Sequence, residues 1–258
     1  MRETRAMNGH SFRALSGALG ALWCAGCGAS SPLLGGGGPD AGMSPDAGMS
    51  PDAGYRVESI PSQCDDLDRL ERSVLISAMG DDVTTNAVPL PEPFVFFGIS
   101  RAAFSVSTNG FLQLFTTLEA AAPQPGVAPN APAPSEQLPP GIIAPMYDDL
   151  EVIAGAEVRV GAEPGRDPYR VFEWRSVGFC CGAIDRASLT FQAKLFASGA
   201  IEFHYCRLDA SAAQRDRVAG SNAFVGVQDS TTTRGVTVAF QRPGSLSTRT
   251  GYRLTPVR

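Results

Sequence analysis

The chain reads as all-β, a β-sandwich or jelly-roll-like single domain that follows a disordered N-terminal leader. Three observations carry this reading. From Tyr55 onward, apolar and polar residues alternate and seldom recur at helical spacing. Two alternating runs fold back on themselves, one around Asn109-Gly110 and one around Ala197-Ser198-Gly199, with glycine where a left-handed residue is needed. Short runs of this kind recur between Gly- and Pro-bearing turns, which is the pattern of two packed sheets.

The leader comes first in the chain of 258 residues. Arg2, Arg5 and Arg13 form a positive start, and Ala14 to Gly26 is an apolar run too short for a bilayer span but of the length of a secretory core. The end of the run, "CAGCGAS", resembles a bacterial lipoprotein signal. That resemblance makes residues 1–26 the signal peptide and Cys27 the lipidated residue. Cys24 stands where such signals usually carry leucine, so ordinary cleavage after Ala29, giving a freely secreted protein, stays open. Gly28 after the cysteine favours the outer membrane on the same resemblance. Residues 27–54 hold Gly35 to Gly38 and three copies of Pro-Asp-Ala-Gly, which can build no core and read as a flexible tether. Such linkers are similar to those of myxobacterial surface lipoproteins.

Residues 55–258 are the folded part. "CDDLDRLERS" (64–73) makes at most a short helical turn. "FSVSTNGFLQLF" (104–115) predicts a hairpin with a type I′ turn at Asn109-Gly110. Residues 121–140 hold seven prolines and read as one long surface loop, a candidate contact region. "YRVFEWRSV" (169–177) is a strand whose Phe172 and Trp174 belong to the core. "SLTFQAKLFASGAIEFHY" (188–205) is a second hairpin. Pairing Leu195 with Ile201 puts Leu189, Phe191, Ala193, Phe203 and Tyr205 on the buried face. Gln192, Lys194, Glu202 and His204 share the other face, with Lys194 opposite Glu202. "AFVGVQ", "GVTVAFQ" and "GYRLTP" complete the strands.

"STNGFLQLF", "GIIAPMYDDL" (141–150), "YRVFEWRSV", "LTFQAKLFASGAIEFHY" and "AFVGVQDSTTTRGV" (223–236), in that order, resemble a nidogen-like extracellular β module over about residues 90–255. Where such modules often read "APFWDDL", this chain has Met146 and Tyr147 before the acidic pair. The resemblance implies display or adhesion at a cell surface and carries over no catalytic residue.

Charge and motifs narrow the classes further. The net charge is −5, and the chain outside the signal is more acidic still, which argues against nucleic acid. No phosphate loop, dinucleotide fingerprint or zinc-protease motif is present. The one histidine beyond the leader, His204, lies on a strand with no nucleophile elbow, so no catalytic residue is assigned. Carboxylate-dependent hydrolysis or carbohydrate binding is the second reading, and a structural envelope component the third. Asp148 and Asp149 follow a strand and are a candidate calcium pair, the alternative being a turn cap and a solvated acid. Asp65, Asp66 and Asp68 are a weaker one, with a helix N-terminal role preferred. No other cofactor is expected. With Cys24 lost and Cys27 lipidated, Cys64, Cys180, Cys181 and Cys206 are disulfide candidates in an oxidising compartment. Strand topology pairs Cys206 with one of Cys180 and Cys181, and Cys64 with the other, a strained vicinal Cys180–Cys181 ring and a zinc site of all four cysteines being the alternatives. The expected partners are the membrane, through the anchor, and an extracellular protein or glycan.

Overall fold

The computed structural model describes residues 54–126, 129, 131–180 and 187–257. The signal, Cys27, the tether up to Ala53 and Cys181 lie outside them. Fifteen strands occur among the described residues: β1 (Tyr55–Pro61), β2 (Arg72–Ile76), β3 (Gly80–Asp81), β4 (Val88–Phe96), β5 (Ile99–Ser107), β6 (Phe111–Phe115), β7 (Ile142–Tyr147), β8 (Leu150–Val152), β9 (Glu157–Glu163), β10 (Tyr169–Phe179), β11 (Ser188–Phe196), β12 (Ile201–Asp209), β13 (Phe224–Gln228), β14 (Gly235–Phe240) and β15 (Thr250–Pro256). One four-residue helix, α1 (Arg215–Val218), and two single helical turns accompany them. The larger antiparallel sheet runs β1-β15-β12-β11-β10. Beyond it, β9 and β2 attach to one half of β10, and β8 and β3 to the other. The smaller antiparallel sheet runs β14-β13-β7-β6-β5-β4. The expected all-β class holds.

The second hairpin forms as the alternation requires. Leu195 pairs with Ile201, Lys194 with Glu202 and Gln192 with His204. Phe196 N–H donates to Ala200 O, and Gly199 takes φ +86°. Inward residues of the two sheets meet in one core. Phe104 sets its edge on Phe172 at 5.0 Å, and Trp174 stacks on Phe191 at 5.2 Å. Phe172 and Trp174 are fully buried, as expected.

The first hairpin differs from expectation. Gly110 alone takes positive φ, and Gly110 N–H donates to Ser107 O, so the loop is the three residues Thr108 to Gly110 rather than a two-residue type I′ turn. Asn109 keeps ordinary φ because its side chain is engaged elsewhere. Its amide donates to Asp82 Oδ1 and Gly126 O, and its Oδ1 accepts from Leu150 N–H.

The outer faces are not bare. Residues 62–71 cross the larger sheet, and the described residues of the segment 116–141 cross the smaller one. Gln192 Oε1 accepts from Asp65 N–H while its Nε2 donates to Asp65 O. Gln228 makes the same two-point pairing with Ser135, and Gln113 ties Gln124 N–H to Pro140 O. Lys194 and His204 lie under the first cover and are buried. Lys194 donates to Gln63 O and Asp65 Oδ1, and His204 Nδ1 accepts from Gln63 N–H. The polar face of the hairpin is therefore a sealed hydrogen-bonded layer, which is how buried polar groups avoid a desolvation cost. The proline-rich loop acts as a cover as well as a surface: Leu138 packs with Phe111, Ile142 and Tyr147 in a small second core.

Candidate functional site

Prolines 89, 91 and 93 open a groove. Proline cannot donate to a ladder and is confined to edges and bulges. β4 is the edge strand of its sheet, and its pairing with β5 breaks between Pro89 and Phe94. The displaced residues Leu90, Glu92, Pro93 and Phe94 face the ends of β9, β10 and β11 across a groove of about 680 Å³. Tyr169 and Phe196 lean together there at 4.7 Å, with Lys194 over one ring and Arg253 over the other. Arg69, Glu71, Glu163 and Arg170 complete a rim of mixed charge.

On another part of the domain the turn at 107–110 is bolted to the segment 145–150. Met146 N–H donates to Gly110 O and Asp148 N–H to Asn109 O. Trp174 Nε1–H reaches Ser107 O at 2.8 Å, and the buried Tyr205 hydroxyl reaches Pro145 O at 2.8 Å. Asp148 is buried and takes Arg217 of α1 on both oxygens, while Arg217 stacks over Phe179 at 4.1 Å. Residues from four separate motifs thus meet at one structural joint.

The model of the NIDO-related family matches residues 57–255. The chain belongs to that family. No curated protein and no solved structure matches it. The match begins well before the region in which the resemblance is legible and takes in most of β1 and the cover 62–71. No helix among the described residues is long and apolar enough to cross a membrane.

The NIDO-related domain corrects the expected cysteine pairing. Cys64 bonds Cys206, joining the cover 62–71 to β12, so neither Cys180 nor Cys181 bonds these two and a four-cysteine zinc site is excluded. Cys180 is disulfide-bonded as well.

The acidic pair is split. Asp148 belongs to Arg217, and Asp149 lies instead with Asp81 and the Cys180 sulfur, their ligand atoms within 4.8 Å of one another. Calcium takes oxygen ligands, and the carboxylates that the fold brings together here are those of Asp149 and Asp81. Asp148→Asn is expected to cost about 2 kcal/mol, as for a hydrogen bond to a charged group, read from the urea midpoint. Burial, and then the neighbouring Asp81, hold the Asp149 carboxyl above the usual range; burial and then Asp82 do the same to Asp81. The folded state therefore binds these protons more readily than the unfolded one. That contribution is full below the unfolded pKa and is lost as pH rises through the folded pKa. Asp149→Asn is expected to raise Tm at neutral pH, with the gain shrinking as pH falls into the carboxylate range.

Asp65 and Asp68 are taken by cations, Lys194 and Arg159 respectively, and Asp66 caps the turn at Leu67–Arg69 by accepting from Asp68 N–H. The preferred helix N-terminal role thus falls to Asp66. His204 is sealed between Glu202 and Gln63. The groove went unread in the sequence, although three alternating prolines in "VPLPEPF" mark a bulged edge.

Proposed function

We propose that this NIDO-related domain is a non-catalytic binding module, displayed at the cell surface by a lipid on Cys27 and engaging an extracellular polypeptide through the groove beside β4. Family membership supports the extracellular setting, and the groove is the observation that carries the binding role. A cation covers one face of each groove ring and the rings lean on one another, which leaves poor platforms for sugar stacking. The rim of carboxylates and guanidiniums suits a polypeptide of mixed charge. The Pro-Asp-Ala-Gly repeat serves as the tether that lifts the domain from the lipid.

The full chain displayed on cells is tested for retention on immobilised extracellular proteins and on a glycan panel. Glu92→Arg with Arg170→Glu, both on the rim, is expected to lower retention on protein at least tenfold with Tm unchanged. Retention unaffected by the pair would refute the groove, and retention on glycans alone would refute the polypeptide. Labelling with a palmitate analogue is expected to mark the wild type and not Cys27→Ala; an unlabelled wild type would mean free secretion. A Tm raised by calcium and reversed by EDTA would make Asp149 and Asp81 ligands; no shift would leave them a repelling pair.

A further inference from the structure

A guanidinium without a carboxylate of its own lies on the far side of β5 from the sandwich core. Arg101 is 2% exposed, its Nε has no hydrogen-bond partner, and its Nη2 donates to the neutral Ser230 hydroxyl at 3.1 Å. The nearest acid, Asp229, is already committed. Its Oδ2 accepts from Arg234 Nε at 3.0 Å and from the Thr231 hydroxyl, and its Oδ1 accepts from three backbone N–H groups. Two guanidiniums thus share one buried carboxylate, which leaves one positive charge uncompensated in a place where an unpaired ion is costly.

Arg101 and Ser230 both border a cavity of about 230 Å³ beneath the cover 116–141. Its other walls include Leu114, Pro140, Thr116 and Gln124. The cavity therefore combines apolar walls, hydroxyl and amide groups, and one excess positive charge at its base. Nε and Nη2 occupy the same edge of a guanidinium, the edge that pairs with carboxylates in a fork. Arg101 and Ser230, the residue that takes its Nη2, both line the cavity. Burial, offset in part by Asp229, holds the Arg101 pKa below its ordinary value, as expected for a cation lacking a full counter-charge.

We propose that this cavity binds a small free carboxylate, seated on Arg101 and Ser230 with its apolar part against Leu114 and Pro140. The site is separate from the groove beside β4, and the inference does not depend on the polypeptide reading of that groove.

The test uses the full chain with ¹³C-labelled acetate and propionate as probes, followed by line broadening and thermal shift, and inorganic phosphate as the competing anion. Saturable broadening and a raised Tm are expected for the carboxylates. Arg101→Gln should weaken the apparent Kd at least tenfold. Should Arg101→Gln fail to fold, Ala122→Phe, which fills the cavity from its exposed wall, should fold and lose the response. No saturable response in the wild type, or a response unchanged in Ala122→Phe, overturns the proposal. Equal response to phosphate overturns its carboxylate selectivity. Binding that appears only when Glu119→Gln removes the acid beside the wall residue Ala120 would show that the chain fills its own site, and overturns a free ligand.

Discussion

Gly110→Ala is expected to abolish folding or to cost at least about 4 kcal/mol, the range of severe backbone conflicts. A methyl at this position would lie 1.9 Å from Met146 O and 2.9 Å from Met146 C, and the residue holds φ +78°. The obstructing atoms are backbone of β7, which is itself hydrogen-bonded to Gly110 O. Neither side can retreat without parting the 107–110 turn from the 145–150 segment. Gly98→Ala supplies the control, since Gly98 also holds φ +78° but has open space around the same position. It should cost only the left-handed strain, about 1–2 kcal/mol. Soluble yield and urea midpoints of the two variants check this. Equal effects would mean that φ, and not the close approach, makes glycine necessary at position 110.

Replacing both Cys64 and Cys206 by serine is expected to cost about 2–5 kcal/mol, the range for native disulfides, with the upper part favoured by a long closed loop. The two residues are 142 apart in sequence. Beyond the global loss, the cover 62–71 should open locally. Amide exchange at Gln63 and Asp65, whose N–H groups donate to His204 and Gln192, should rise more than at the core strands. A uniform rise across all strands would mean that the cover opens only with the whole domain.

Local pattern made much of this fold legible. The β11–β12 register followed from alternation and one glycine, and Phe172 and Trp174 fell in the core because period two places them there. Long-range use of polar side chains was not legible. Gln192, Lys194 and His204 alternate as solvent-facing residues do, and nothing local says that residues 62–71 will cover them. The same cover redirected the disulfide: β12 runs on to Asp209, so Cys206 is not at a strand end, and the crossing segment delivers Cys64 to it. β4 escaped notice because prolines mask a strand, and Asn109-Gly110 misled because Asn109 spends its side chain on distant partners instead of a left-handed backbone. The split of Asp148 from Asp149 needed Arg217, which lies 69 residues from Asp148.

The glutamine clips carry a consequence for how such a domain can change. Gln113, Gln192 and Gln228 hold the covers through main-chain N–H and C=O groups, which every residue but proline offers in full. That grip is indifferent to what the covering segment spells. A lineage could rewrite or exchange these segments, and so the exterior the domain presents, while the strands beneath and their three amides stay as they are. Grafting a foreign loop of matched span between Gln124 and Ser135 should be tolerated on the same grounds.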